Sequence, residues 1–426
     1  MKVLVVGGGG REHALCWKIA RSPRLGRLWC APGNAGIARV AECVPIPDSD
    51  REGLIAFGVE QGIDLVVVGP EAPLVAGLAD AFRERGIRVF GPDARAAEIE
   101  GSKAFTRELC REHKIPGPQF WVFQDSKRAM GFLGTHTSWP LVVKASGLAA
   151  GKGVLICPDR ETAFRAVGEI MEDRRFGDAG QEVVIEEWLE GPEASILAIT
   201  DGRTIVPLEP AQDHKRAHEG DQGPNTGGMG AISPTPVANL RTRKQVESQI
   251  LIQVIHALNR KSRSYTGVLY AGLMITQVGP RLLEFNARFG DPEIQPLVLR
   301  MKSDLLPILD ATARGELEEI DPIEWDPRHA ICIVAASEGY PGKYEKGQVI
   351  AGLDQVEEGE DLVVFHAGTA REEERVVTSG GRVLGVTALG ESLEEARARA
   401  EEALAKISFP GMWYRRDIGK IIRMPG

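Results

Sequence analysis

Two short apolar runs, Lys2–Val6 and Asp64–Val68, each end directly on glycine and are each flanked by segments of helical character. A run with no polar alternation has no face left for water. A strand made from it must be covered on both sides, which is the condition of a parallel sheet between helix layers. Leu28–Cys30 and Ile87–Phe90 repeat the pattern, and a helical stretch from about Glu12 to Ala20 follows the first run. The first hundred residues are therefore expected to form a doubly wound α/β domain with its loops gathered at one sheet edge.

The pattern then changes. Strand-like runs at Leu141–Val143 and Val183–Ile185 alternate with long glycine-rich segments, and Pro207 to Pro236 reads as a loop without structure of its own. Glu318–Arg328, acidic and carrying two prolines, reads as a linker. Beyond it, strands are expected at Ala330–Ala335, Leu362–His366 and Val383–Ala388. A helix from Ser392 to Ile407 should open on a Ser392/Glu395 capping box and bury Leu393, Ala396, Ala400, Leu404 and Ile407. A length of 426 residues is compatible with about three domains. The boundaries expected are 1–101, 102–325 and 326–426.

Charge and cysteine content exclude several functions. Fifty-one basic against sixty acidic residues leave a formal charge of −9, so no bulk field draws the chain to nucleic acid or to an anionic membrane. The six cysteines are scattered, with no C-x-x-C pair, which speaks for thiols in a reducing cytoplasm rather than disulfides or a zinc ribbon. No apolar stretch is long enough to span a bilayer.

Several segments have the composition of ligand sites. Gly7-Gly8-Gly9-Gly10 follows the first strand but lacks the third glycine of a dinucleotide fingerprint, since Glu12 and His13 stand there. A nicotinamide cofactor is thereby disfavoured, and the loop either approaches a phosphate or simply turns. Pro32-Gly33-Asn34-Ala35-Gly36 and Gly69-Pro70-Glu71 end neighbouring strands at the same edge. Lys144 to Val154, with Gly147, Gly151, Lys152 and Gly153, is not a Walker A loop; it suits either a polyphosphate cover or a mobile hairpin. Val183 to Glu193 is compatible with an edge strand with solvated carboxylates or with an adenine slot. Glu284 and Asn286 lie two apart on a strand, so both side chains leave one face while Phe285 enters the core. A carboxylate beside an amide oxygen offers hard ligands for magnesium bridged to phosphate. Arg288 beyond them suits an anionic second substrate. His214 and His218 lack a third zinc ligand, so they are expected to be solvated or substrate-facing, with Lys215 and Arg216 forming an anion site.

Taken in order, these segments resemble the phosphoribosylamine–glycine ligase family of the ATP-grasp superfamily, over essentially the whole chain. The most specific pieces are Gln212-Asp-His-Lys-Arg216, Gly223-Pro-Asn-Thr-Gly-Gly-Met-Gly230 and Glu284-Phe-Asn-Ala-Arg-Phe-Gly-Asp-Pro-Glu293; Tyr414 to Gly419 closes the match. Ile232 departs from the aromatic usual at its position. The resemblance implies a pre-ATP-grasp N-terminal domain, a two-lobed ATP-grasp domain with its smaller lobe at about 120–190, and a small α+β C-terminal domain. It implies ATP as co-substrate, with Lys103 and Lys144 on the nucleotide, Gly147–Val154 closing over the triphosphate, Glu186, Glu187, Trp188 and Leu189 as the adenine hinge and Glu193 on the ribose. Glu284 and Asn286 would hold Mg2+ or Mn2+. Gly9, Gly10, Asn34, Gly36, Glu71, Arg288 and Glu293 would surround phosphoribosylamine, and Lys215, Gly228 and Met229 would also bind substrate. Arg288, Asp213 and Asp291 would be the catalytic residues, the two aspartates gripping glycine or the amines. The implied enzyme is a cytoplasmic monomer of purine biosynthesis. Another ATP-grasp ligase would lack the Gly223–Gly230 segment, and a non-catalytic nucleotide-binding module would have lost a metal ligand.

Overall fold

The computed structural model describes residues 1–149 and 151–420. Five parallel strands, β1 Lys2–Gly7, β2 Arg27–Pro32, β3 Glu42–Cys43, β4 Leu65–Val68 and β5 Arg88–Phe90, form the first sheet in the order β3-β2-β1-β4-β5. Their apolar residues are buried on both faces, as the unbroken runs require. Chain order reverses between β1 and β4, and the glycine-ended loops of both open there.

A second, separate sheet follows: β6 Phe120–Phe123, β7 Leu141–Ala145, β8 Val154–Cys157 and β9 Val183–Glu187, antiparallel in the order β6-β9-β7-β8. Its apolar core, built from residues such as Leu133, Val143 and Ile185, is independent of the rest. The other large cores are shared: the cluster holding Leu4 and Val6 continues through Ile196, Leu273 and Phe285.

The remaining strands interleave. They are β10 Glu193–Thr200, β11 Ile205–Pro207, β12 Gln212–Asp213, β13 Arg216–His218, β14 Gln222–Asn225, β15 Gly230–Ser233, β16 Gly267–Thr276, β17 Gly279–Asn286, β18 His329–Ser337, β19 Leu362–His366, β20 Thr369–Glu372, β21 Arg375–Thr378, β22 Arg382–Gly390 and β23 Met412–Trp413. One sheet runs β11-β10-β16-β17. Another runs β12-β15-β18-β22-β19, with β23 also on β18.

This corrects the reading of Pro207–Pro236 as a structureless loop. It holds four short strands, and two of them, β12 and β15, complete a sheet whose other members lie a hundred or more residues on. The C-terminal helix is Leu393–Lys406, with the Ser392 side chain accepting the Glu395 N–H at 3.2 Å and the expected apolar face buried. The box closes differently: the Glu395 carboxylate takes the N–H of Glu391, not that of Ser392. No helix of the described residues is long and apolar enough to cross a membrane.

Candidate active site

The ends of β7, β9, β12 and β17 converge with the edge of the first sheet on one cavity of about 880 Å³. β17 supplies Glu284 and Asn286 to its wall while Phe285 is buried behind them, as the two-residue period demands. Three ammonium groups surround Glu284. Lys215 Nζ lies 3.5 Å from Glu284 Oε1 and 3.1 Å from Glu193 Oε2. Burial by itself would raise the Glu284 pKa, but Lys215, Lys144 and Lys103 outweigh it and hold the carboxyl down to about 2. Burial lowers the Lys103 pKa, with Glu284 opposing. Glu284 is thus ionised and Asn286 stands beside it.

No group of three His, Cys, Asp or Glu suited to a metal occurs among the described residues. A carboxylate plus an amide oxygen fits a hard cation whose other ligands come from phosphate and water, the habit of magnesium.

Beneath this pair lies a buried ion cluster that the sequence does not announce. Arg107, on the helix Lys103–Glu112, donates from Nε and Nη2 to the two Glu186 oxygens at 2.6 and 3.0 Å, and to the carbonyls of Leu282 and Leu283 at 3.0 and 2.6 Å. Lys144 Nζ completes it at 2.8 Å from Glu186. Burial pushes the Glu186 pKa up, but Arg107 and Lys144 pull it below the usual carboxylate range. The Glu186 side chain is therefore committed to the protein, and Glu187 likewise accepts the Gln119 N–H at 2.8 Å. At Glu186–Leu189 the wall can still offer backbone groups and the Trp188 and Leu189 side chains to a base.

At the far end, Arg288 lies 3.4 Å from Glu71 and 3.5 Å from Glu100. Glu100 accepts the Ala287 N–H at 2.6 Å, and burial raises its pKa to about 7 against the pull of Arg288. Asp291 is paired with Arg382 at 3.2 Å and takes a hydrogen bond from Gln295 at 2.8 Å. Glu293 accepts from Tyr270 at 2.7 Å and Ser195 at 3.2 Å. Among these carboxylates Asp213 stands apart: its Oδ1 is buried with no hydrogen-bond partner, and burial, reinforced by Glu293, raises its pKa well above the usual carboxylate range.

Of the residues proposed from sequence, Gly151, Gly153 and all the others just described line this cavity. Eight do not. The Asn34 side chain is consumed internally: Nδ2 donates to the Gly8 and His366 carbonyls, and Oδ1 accepts the N–H groups of Gly36 and Ile37. Gly36 is glycine because His13 and His366 crowd it. The Gly9 N–H is taken by Glu12 Oε2 at 2.6 Å, and Gly10 abuts Gln295 and Asp291. The glycines at 7, 9 and 69 leave room for the buried Glu12 side chain, so that carboxylate, with Arg11, fills the switch point that the glycine loop would otherwise open to a phosphate. Gly147 packs on Ala179 and only its carbonyl, which accepts from Lys103 at 3.1 Å, reaches the site. Lys152 lies on an outer cleft beside Arg216 and Tyr340. Gly228 sits behind Asp213, and Met229 is wholly in the core. Ala150, in the loop expected to cover the triphosphate, falls outside the described residues.

His214 is buried rather than solvated, although it does contribute to the cavity wall; its Nε2 accepts the Gly419 N–H at 3.1 Å, and burial lowers its pKa to about 4. His218 is exposed on the outer cleft. Arg107, Glu100, Arg11, Tyr270 and Arg382 are the wall residues that sequence reasoning missed. Arg382 and Tyr270 had no nearby motif, and Glu100 and Arg107 sit on separate helices, Ala94–Gly101 and Lys103–Glu112, broken at Ser102, so no single helical spacing marks them.

Three family models match consecutive parts of the chain: the phosphoribosylglycinamide synthetase N domain over residues 1–100, its ATP-grasp (A) domain over 101–294 and its C domain over 330–421. The chain is 52% identical over 421 residues to a phosphoribosylamine–glycine ligase of Rhodopirellula baltica, covering 98% of this chain and 96% of that one. It is also 52% identical to the enzyme of that name from Caulobacter vibrioides, covering 98% of each chain. The crystal structure of a phosphoribosylamine–glycine ligase from Thermotoga maritima superposes with a TM-score of 0.85 at 32% identity, covering 98% of this chain and all of that one. The biotin carboxylase domain of a Hydrogenobacter thermophilus 2-oxoglutarate carboxylase, in complex with MgADP, ADP and bicarbonate, shares the fold at a TM-score of 0.76 and 18% identity over 97% of this chain and 91% of that one.

Proposed function

The chain belongs to the phosphoribosylglycinamide synthetase family, and from that premise we propose that it joins glycine to 5-phosphoribosylamine at the expense of ATP, giving glycinamide ribonucleotide, ADP and phosphate. It is an ATP-grasp ligase of purine biosynthesis. The observation that carries the assignment to this cavity is the convergence of Lys103, Lys144 and Lys215 on an ionised Glu284 beside Asn286.

Glycine's carboxylate attacks the γ-phosphoryl group, forming glycyl phosphate and releasing ADP. The amine of phosphoribosylamine then attacks the acyl carbon, and phosphate leaves. The first step brings two anions together, so its barrier falls with the positive charge around the reacting oxygens. Lys103 and Lys144 supply that charge from the nucleotide side and Lys215 from the side of the second substrates. Mg2+ or Mn2+, held by Glu284 and Asn286, would add neutralisation at the phosphate oxygens. The Trp188–Leu189 stretch cradles adenine and Glu193 holds the ribose. Arg288, set between Glu71 and Glu100, orients phosphoribosylamine with Glu293. Asp213, whose Oδ1 lacks a partner, takes the ammonium of glycine, and Asp291 keeps Arg382 aimed at the site. The Gly151–Gly153 loop closes over the phosphates, keeping water from an acyl phosphate it would hydrolyse.

The division at about residues 101 and 326 separates the three domains, with β12 and β15 lent to the third. The separate core of residues 120–187 suits a lobe that moves as a body. The six free thiols suit the cytoplasm.

The test is a product assay with ATP, magnesium, glycine and freshly made phosphoribosylamine. ADP release that requires both acceptors, and that bicarbonate or D-alanine does not replace, is expected; no release with any of them overturns the reading.

A further inference from the structure

Lys215 stands at the start of a hairpin formed by β13 and β14, whose tip is the turn Glu219–Asp221. This hairpin is a two-stranded sheet of its own and pairs with none of the four larger sheets. What holds it comes from the other end of the chain. Arg415, only 1% exposed, donates from Nη1 to the Arg216 carbonyl at 2.9 Å and from Nη2 to Asp221 Oδ1 at 3.0 Å. Asp417 fixes that guanidinium through Nε at 2.8 Å and Nη2 at 2.7 Å, and its Oδ2 also accepts the Gly220 N–H at 2.8 Å. The Arg416 N–H donates to Glu219 Oε1 at 3.1 Å, and the Gly419 N–H to His214 Nε2 at 3.1 Å. Five hydrogen bonds thus join residues 415–419 to residues 214–221, on both flanks of Lys215. Arg415 does not line the cavity.

We propose that Arg415 and the Asp417–Gly419 turn are positioning elements for the ligation: they fix the hairpin so that the Lys215 ammonium points at Glu193 and Glu284. The inference rests on Lys215 acting in the reaction, but the clamp itself is a statement about the hairpin. One guanidinium bridges a carbonyl and two carboxylates, a planar fork that lysine cannot reproduce. The other hold on Lys215 is at the base of the hairpin: its carbonyl accepts from the Thr226 N–H and hydroxyl at 2.7 and 2.8 Å, and the adjacent His214 backbone pairs with Gly230 and Met229. These contacts fix the start of the hairpin but leave the tip free to pivot.

The test uses the full chain carrying Arg415→Met, Arg415→Lys or Asp417→Asn. Amide hydrogen exchange across residues 214–226 and steady-state kinetics are compared with the wild type. Faster exchange confined to that segment is expected, with kcat down tenfold to a hundredfold, on the order lost when a reacting group is displaced by a remote change. KM for ATP should change less than about twofold, because Lys103 and Lys144 sit on other elements. Arg415→Lys should not restore kcat. Wild-type exchange in 214–226 overturns the clamp. Faster exchange spread over the sheet of β18, β22 and β19, with a lowered Tm, reduces Arg415 to a structural role and overturns it also. Should Arg415→Met not fold, the isosteric Asp417→Asn decides by the same two readouts. Local loosening with unchanged kcat refutes the positioning role, whereas a wild type inactive in the product assay refutes the proposed reaction and leaves the exchange result standing.

Discussion

Single side chains carry the electrostatics of this cavity, and they differ in how visible they are before folding. Glu284 and Asn286 are visible, because a strand's period of two fixes which neighbours share a face. We expect Glu284→Ala to lower kcat by about 100-fold or more, since losing a ligand removes several kcal/mol of charge stabilisation. Circular dichroism should be unchanged; a variant that keeps wild-type magnesium dependence would remove Glu284 from the metal site. Arg107 was not visible: a charged residue among others on the helix Lys103–Glu112 looks solvated until β9 brings Glu186 beneath it. Removing Arg107 leaves the buried Glu186 with Lys144 alone, so Arg107→Met should destabilise the fold by up to about 3–5 kcal/mol. Chemical denaturation measures this, and a loss under 1 kcal/mol would mean that water reaches Glu186.

Elements were legible in proportion to how local their causes are. Buried strands in the first domain matched to within about two residues, because unbroken apolar runs and their glycine stops suffice. The C-terminal helix was likewise signalled by its Ser392 cap. The segment from 207 to 236 was misread because its strands are two to four residues long and their partners lie on distant β18 or on one another. Within it Gly228 adopts φ +109°, and a Cβ there would stand 2.7 Å from Asp213 Oδ1 and closer still to Pro292. Gly228→Ala is expected to cost about 1–3 kcal/mol of stability from backbone strain and to push Asp213 out of line. Raised KM for glycine in a folded variant is the outcome to look for; wild-type kinetics would free Asp213 from its assigned role.

On the scale of the whole molecule, the first and third domains meet at a buried histidine pair. The His366 N–H donates to His13 Nδ1 at 2.7 Å, with Thr369 on the other side of His366 and Arg39 nearby. Burial lowers the pKa of His13, and brings those of His366 and His214 to about 4. The unfolded chain, with histidine pKa values near 6.5, therefore binds more protons than the folded one between about pH 6.5 and 4. Stability should fall as pH falls through that window, by up to about 1.4 kcal/mol per histidine per pH unit. Tm measured from pH 7.5 to 4.5 tests this, and His366→Phe should flatten the slope if the pair is responsible. By itself the sequence determined the layered first domain, the C-terminal helix and the strand that sets Glu284 and Asn286 on one face, all consequences of periodicity over a few residues. Only the tertiary structure decided that Glu186 is locked by Arg107, that Asn34 and Met229 serve packing, that Glu12 fills the glycine-lined edge, and that residues 415–419 hold the Lys215 hairpin. Those are contacts between residues tens to hundreds apart, whose energies arise from desolvation and charge pairing that no local pattern encodes.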